Sequence, residues 1–285
     1  MLKEFRIERK IFARQQRIAE KTLVPIFRKA LNKSVAQVLE YVRQNGTLTN
    51  PVFLIDENVW LKAYQQAYSQ LPLKIAKQEY YRQRGLEVET ESKASAIDFL
   101  VDVWQSIFRD YALNYVYRIS RELNDTTIRI ITEALGDVNH LGLDRGGSIR
   151  LFIKTIEGKL KLRTNTISRT EATTLSNLGK DVAARSWIEE QGGQGYKVWL
   201  GRNDIKERPS HIHENDTIIP IEDKYELIDP IKESSPDECL RPGDTHLKPK
   251  NRINCRCTQS LMTENRYNAH QKRGRIVNGK LKGAS

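Results

Sequence analysis

The residues of this 285-residue chain that could bind a metal concentrate in its last third. One residue separates His211 from His213, and one separates Cys255 from Cys257. In an extended segment, residues two apart point to the same side, so each pair presents two ligands together. Two imidazoles and two thiolates suit a tetrahedral zinc ion. The spacing therefore indicates a structural zinc site that fastens a small domain with little core of its own.

Other interpretations of the cysteines stay open at this stage. Cys-x-Cys is not the Cys-x2-Cys spacing of common zinc knuckles, and cysteine is often buried without any ligand role. Buried thiols, or a disulfide from Cys239 to Cys255 or Cys257, are the alternatives. Three cysteines are an odd number and too few for a disulfide framework, which indicates a reducing compartment.

A hydrolytic or nuclease site could be built from four residues of the same region, with a histidine as base beside a metal. These are His211, Glu214, Asp216 and His246. However, the chain has no Gly-x-Ser-x-Gly, Walker, His-Glu-x-x-His or Rossmann glycine motif. The sequence therefore favours a protein that is not an enzyme.

Arg208 is a candidate phosphate ligand, but Asp204 lies four residues before it. If the segment is helical, this spacing predicts an ion pair between the two side chains. We expect Asp204 and Arg208 to fix a loop beneath Trp199, whose ring needs a covered face.

The charge of the chain favours an anionic partner, and nucleic acid is the class of partner that it favours most. The formal net charge is +11 and the pI is about 9.5. Residues 1–33 hold ten Lys or Arg against three Glu, and the C-terminal end is also basic. Such charge predicts DNA binding through phosphates without sequence specificity. The candidate contacts are Arg6, Arg9, Lys10, Arg14, Arg17, Lys272, Arg273, Arg275, Lys280 and Lys282.

Hydrophobic periodicity predicts helices through most of the first 190 residues. We expect helices over about 1–45, 56–84, 96–117, 124–135, 148–157 and 164–191. After the glycine-rich linker 191–195, short apolar runs predict strands at 196–200, 217–221 and 257–262. The fold class is therefore α+β, with a long, mainly helical N-terminal region followed by a small, mixed, β-rich C-terminal domain. There is no run of 18 apolar residues and no secretory signal pattern, so we expect no membrane partner.

Four motifs occur in a characteristic order in the second half of the chain. Arg169-Thr170-Glu171 is followed by Trp199, Asp204, Arg208 and His211, then by Pro242-Gly243-Asp244, and finally by Asn254-Cys255-Arg256-Cys257. This combination resembles the phage head morphogenesis family, also called the Mu F-like minor head proteins. The resemblance covers about residues 150–262. One departure is Asn215-Asp216, where the family often has Asp-Gly.

The resemblance implies a low-copy virion component that lies in the virion interior near the portal vertex and in the host cytoplasm during assembly. The portal protein would be its partner, with the major capsid or scaffolding protein and double-stranded DNA as further partners. Its role would be in procapsid assembly and in DNA packaging or ejection. Two alternatives outside the capsid are a zinc-stabilised nucleic-acid-binding protein and a metal-dependent nuclease.

The predicted organisation has four parts. Residues 1–145 form a helical region that contacts portal or DNA, and residues 146–190 form helices that lead into the Mu F-like core. Residues 191–262 form a small α+β domain, and residues 263–285 form a basic flexible tail.

Overall fold

A computed structural model describes residues 3–45, 56, 58–85, 94–139, 141 and 145–282. Four long helices come first, and they are α1 (Lys3–Asn45), α2 (Asn58–Gln83), α3 (Ala94–Asn139) and α4 (Arg145–Gln191). The remainder contains short helices and small antiparallel sheets. The predicted α+β class is therefore confirmed.

Helices α3 and α4 are each longer than the sequence pattern predicts, because each joins two predicted helices into one. Near the expected break in α3, the hydroxyls of Thr126 and Thr127 donate to the carbonyls of Glu122 and Leu123, both at 2.6 Å. These bonds satisfy polar side chains that would otherwise favour a turn. In α4 the helix continues through Gly158, at a cost of about 1 kcal/mol relative to alanine.

The C-terminal part contains seven strands and three short helices among the described residues. In chain order they are β1 (Gly195–Leu200), α5 (Pro209–Glu214), β2 (Ile218–Pro220), β3 (Tyr225–Leu227), β4 (Asp237–Cys239), α6 (Pro249–Arg252), β5 (Thr258–Thr263), α7 (Glu264–Lys272), β6 (Ile276–Val277) and β7 (Lys280–Leu281). The main sheet has the order β2-β1-β5, and β3-β4 and β6-β7 form two separate pairs. The three strands predicted from the sequence correspond to β1, β2 and β5.

Strand β1 separates two apolar clusters, because its side chains alternate between the faces of the sheet. Val198 and Leu200 pack in a cluster with Phe5 of α1. Trp199, fully buried, packs on the other side with Tyr225 and other residues of the candidate zinc region. The strand thus places the tryptophan of the motif in the same cluster as the cysteines.

The chain divides into two compact units. One comprises residues 1–20, 70–108 and 169–285 and contains every strand that the structure describes. The other comprises residues 21–69 and 109–168, and aromatic side chains such as Phe27, Tyr64 and Tyr68 pack in its core. The predicted boundary near residue 190 coincides with the end of α4, but the first unit also takes in segments of all four long helices.

The predicted flexible tail is wrong for residues 263–282, which fold into α7 and the β6-β7 hairpin. Asn278 and Gly279 form the two-residue turn, with φ of 50° and 72°, as expected for a tight hairpin. The amide of Ile218 donates to the carbonyl of Gly279 at 2.7 Å, and Leu281 is buried in the cluster with Phe5. The hairpin is therefore part of the folded unit.

None of the helices in the described part of the chain combines the length and the apolarity that crossing a membrane requires.

Candidate functional site: a buried His-Cys-Cys group and the segments that hold it

His211, Cys255 and Cys257 converge in the interior of the first unit. Nδ1 of His211 lies 3.3 Å from Sγ of Cys257 and 3.8 Å from Sγ of Cys255. The ligand atoms of all three residues lie within 4.8 Å of one another, and all three residues are buried. Zinc bonds of about 2.0 Å to nitrogen and 2.3 Å to sulfur place tetrahedral ligand atoms about 3.5 to 3.8 Å apart. The spacing of the group therefore fits a zinc ion.

His213 does not join this group, and the prediction that it points the same way as His211 is wrong. The segment is not extended: both histidines lie on the short helix α5, and the side chain of His213 is exposed. On a helix, residues two apart point in different directions. The two cysteines do follow the prediction, because they lie in the extended segment just before β5.

The two thiols of the group have different acidities. The hydrogen bond from Cys257 lowers the pKa of Cys255 well below its ordinary value, and the neighbouring His211 adds to this effect. The same hydrogen bond, together with burial, raises the pKa of Cys257. A lower pKa favours the thiolate form of Cys255, and a thiolate is the form that binds metals.

Glu207 supplies an oxygen next to the group. Its Oε1 lies 3.7 Å from Sγ of Cys257, and its Oε2 accepts a hydrogen bond from the amide of Asn203 at 2.6 Å. Gly201 leaves room for this carboxylate, because a Cβ at residue 201 would lie only 1.9 Å from Oε1. Nothing in the sequence marks Glu207 as a possible ligand except its position between the motif residues Asp204 and Arg208.

Asp204 pairs with Arg256 rather than with Arg208, so the predicted pair is wrong. Arg256 donates to both carboxylate oxygens of Asp204, at 2.5 and 2.7 Å. Arg208 instead donates to the carbonyl of Ile253. The pairing differs because residues 204–208 form turns and an N-cap, not a continuous helix. Both arginines thus connect the loop before α5 to the segment that carries the cysteines.

Glu171 of the Arg169-Thr170-Glu171 motif lies on α4 and holds the segment that carries the cysteines. Its carboxylate accepts a hydrogen bond from Arg252 at 2.5 Å, and both side chains are buried. The hydroxyl of Thr170 accepts a bond from the amide of Asn254 at 3.0 Å. Arg169 forms a more exposed ion pair with Glu20, at 3.5 Å. The motif is therefore an anchor for the closing Asn-Cys-Arg-Cys motif.

Thr173 and Asn177, on the next turns of α4, form further hydrogen bonds with these segments. Thr173 donates to the carbonyl of Cys255 at 2.5 Å. Asn177 donates to the carbonyls of Pro242 and Cys257, at 3.0 and 3.1 Å. The sequence shows only a run of polar residues here, ending in Lys180 and Asp181, and it reveals neither their burial nor their partners.

The Pro242-Gly243-Asp244 motif is the second segment held by α4. Thr174 donates to the carbonyl of Gly243 at 2.8 Å. Gly243 has a φ of 75°, and a Cβ there would lie 3.1 Å from atoms of Thr173 and Thr174, so glycine permits the close approach. Asp244 accepts amide hydrogen bonds from Leu240 and His246. Burial opposes its ionisation, but Arg241 and these bonds together lower its pKa.

Asp216, which replaces the glycine usual in the resembled family, adopts a left-handed conformation with a φ of 66°. Arg9 of α1 donates to Asp216 at 3.1 Å, to Asn215 at 3.0 Å and to the carbonyl of Gly201 at 2.8 Å. Its side chain is largely buried, so the prediction that Arg9 contacts DNA is wrong. Arg9 instead connects α1 to the turn after α5.

The four candidate catalytic residues have separate environments. His211 faces the cysteines, Asp216 pairs with Arg9, and the exposed His246 lies 3.0 Å from Asp244. Burial raises the pKa of Glu214 to about 7. In the described part of the chain, His211, Cys255 and Cys257 form the one group with converging metal ligands.

Most of the remaining basic residues predicted to contact DNA are exposed. Arg6, Lys10, Arg14 and Arg17 recur every three or four residues and form one face of α1, which we call the α1 stripe. Arg275 is half-buried. The other exposed cations are Lys272, Arg273, Lys280 and Lys282.

The model of the family described as Phage Mu protein F like protein matches residues 134–260. The chain carries a Mu F-like region. The recognition made from the motifs is thereby confirmed, and the match supports a role in phage head morphogenesis and an association with the virion. A structural family of this kind also favours a protein that is not an enzyme. No curated protein and no solved structure matches the chain.

Proposed function

We propose that the chain is a minor head protein of a phage, that it associates with the portal during procapsid assembly, and that it acts in DNA packaging or ejection. The observation that carries this proposal is the Mu F-like region, in which α4 carries the first motif and holds both the Pro-Gly-Asp and the Asn-Cys-Arg-Cys segments. This arrangement supports a rigid structural unit. The proposed location is the virion interior near the portal vertex.

An apolar stripe on α3 supports contact with a helical partner. Phe99, Val103 and Ile107 recur every four residues and are 76%, 39% and 40% exposed. Exposed apolar side chains at this spacing are the anchors by which a helix lies in a groove of another protein. We assign this surface to the portal, with the major capsid or scaffolding protein as a further partner.

Co-expression with the portal protein of the same genome tests this assignment. The wild-type chain is expected to co-purify with the portal, and the variant Phe99→Asp/Ile107→Asp is expected to lose the complex. Leu162→Asp is the control, because Leu162 is an exposed apolar residue (71%) on α4 and lies outside the stripe. Absence of a complex with the wild-type chain would overturn the portal assignment.

The α1 stripe supports sequence-independent DNA binding. From Arg6 to Arg17 the helix rises about 16 Å, so the four cations can follow several phosphates of a duplex. Lysine and arginine contacts to phosphates carry no base information. Inside a head, where DNA surrounds such a protein, this is the contact that the proposed role requires.

The His-Cys-Cys group supports a structural zinc ion held by His211, Cys255 and Cys257, with Glu207 as the fourth ligand in place of His213. The distances from Nδ1 of His211 to the two sulfurs match tetrahedral zinc, and Oε1 of Glu207 lies 3.7 Å from Sγ of Cys257. A bound zinc ion would crosslink α5 to the segment before β5. Because both elements are short, such a crosslink would stabilise the domain substantially.

A further inference from the structure

A cleft in the first unit lies beside the segment that carries the cysteines. It has a volume of about 520 Å³ and is bordered by α1, α4, the loop before α5 and the closing motif. One acidic side chain, Glu20, lines it together with six cationic ones. These are Arg17, Arg169, Arg202, Lys206, Arg208 and Arg256.

The closing motif directs one of these cations into the cleft. Cys255 and Cys257 face His211, whereas Arg256, between them, lies on the cleft. This is the alternation expected of an extended segment. The bidentate pair with Asp204 holds Arg256 in place, and the bond to the carbonyl of Ile253 holds Arg208. These two guanidinium groups are therefore ordered before any ligand arrives, which reduces the entropic cost of binding.

Positive charge remains after the ion pairs at the cleft are counted. Asp204 offsets Arg256, and Glu20 offsets Arg169. Arg202 and Lys206 are exposed on the loop, and Arg17 continues the α1 stripe to the edge of the cleft. Since six cations face two carboxylates, the cleft selects an anionic ligand.

We propose that this cleft binds the phosphodiester backbone of DNA. Guanidinium groups form bidentate hydrogen bonds with phosphate oxygens, and five of the six cations are arginines. None of the side chains that line the cleft is aromatic, so bases have no stacking platform there and the contact is made to the backbone. This assignment rests on the proposed DNA-binding role and gives that role a defined site.

An acidic protein segment is the competing occupant, because carboxylates also pair with arginines. The continuity of the cleft with the α1 stripe favours DNA. A long polyanion can occupy the cleft and follow the stripe from Arg17 to Arg6, whereas a short acidic segment needs only the cleft.

The test uses the full chain and a mixed-sequence DNA duplex, with binding measured by fluorescence anisotropy at salt concentrations from about 50 to 200 mM. The variant Arg202→Gln/Lys206→Gln removes two exposed cations from the cleft. Its matched control is Arg28→Gln/Lys29→Gln, which removes two exposed cations of α1 outside the stripe. Circular dichroism and thermal unfolding confirm that both variants are folded.

The cleft variant is expected to bind DNA about tenfold more weakly at low salt, and its salt slope should fall by about 2 because two phosphate contacts are lost. The control should bind like the wild-type chain. If the wild-type chain binds DNA and the cleft variant matches the control, the cleft assignment is overturned while DNA binding stands. If the wild-type chain does not bind at low salt, the DNA-binding role itself fails. Inorganic tripolyphosphate should displace the duplex more effectively than polyglutamate of equal charge, and the reverse order would overturn the phosphate assignment.

Discussion

The carboxylate of Glu171 accepts a hydrogen bond from the guanidinium of Arg252 at 2.5 Å, with both side chains buried. The two residues are 81 positions apart in the chain, and Arg252 lies just before the Asn-Cys-Arg-Cys motif. The pair therefore connects the first motif of the Mu F-like region to the last. It also explains why a common Arg-Thr-Glu tripeptide belongs with motifs far from it in sequence.

Removing the Glu171 charge should destabilise the fold strongly. Glu171→Gln takes away the carboxylate that faces the buried Arg252, and breaking a buried pair in this way costs about 3 to 5 kcal/mol. The matched control is Arg169→Gln, two residues away, which breaks a more exposed pair with Glu20 and should cost at most about 1 kcal/mol. Urea unfolding of both variants gives the comparison. Equal free energies of unfolding would contradict the anchoring role of Glu171.

Zinc binding should depend on His211 and not on His213. His211→Ala and Cys255→Ser are expected to abolish bound zinc, because each removes a buried ligand. His213→Ala should retain about one equivalent per chain, since its side chain is exposed on α5. Elemental analysis after dialysis measures the zinc content. A wild-type chain with less than about a tenth of an equivalent would refute the metal site.

The sequence predicts the His-Cys-Cys group and its surroundings only where the local conformation can be inferred. The Cys-x-Cys spacing predicts that the two thiols lie on the same side, and they do because that segment is extended, whereas the same argument fails for His-x-His because Pro209 begins a helix there. The Asn278-Gly279 hairpin carried a recognisable turn signal, but the surrounding lysines favoured a mobile tail. The contacts from Thr173 and Asn177 could not be predicted, since their acceptors are backbone carbonyls about 80 residues away.

Substitution of Arg9 should lower stability, whereas substitution of Arg6 should weaken DNA binding. Arg9→Gln removes the buried bonds to Gly201, Asn215 and Asp216, so we expect a loss of about 3 kcal/mol of stability. Arg6 is exposed, so Arg6→Gln should change stability by less than about 0.5 kcal/mol while lowering the salt slope of DNA binding by about 1. Thermal unfolding and DNA titration of both variants provide the test. A stable Arg9→Gln variant with weakened DNA binding would contradict the assignment of Arg9 to folding rather than to DNA contact.

Stability should decrease as the pH rises through the titration of Glu214. Burial raises the pKa of this carboxyl from 4.5 to about 7, with Lys280 opposing the shift and Glu226 adding to it. In this pH window the folded chain holds more protons than the unfolded chain, so the free energy of unfolding falls as pH rises. The full effect is on the order of 3 kcal/mol. Glu214→Gln should flatten this part of the profile and be more stable than the wild-type chain above pH 7. An unchanged pH profile in the variant would exclude this role for Glu214.

The central claim is that the chain is a structural component of a phage head, and the protein content of purified heads tests it most directly. Heads isolated by gradient sedimentation from an induced culture would be analysed by quantitative mass spectrometry. We predict that peptides of this chain co-sediment with the major capsid and portal proteins, at far fewer copies than the major capsid protein. A chain found only in the soluble fraction, and absent from both procapsids and filled heads, would contradict the account.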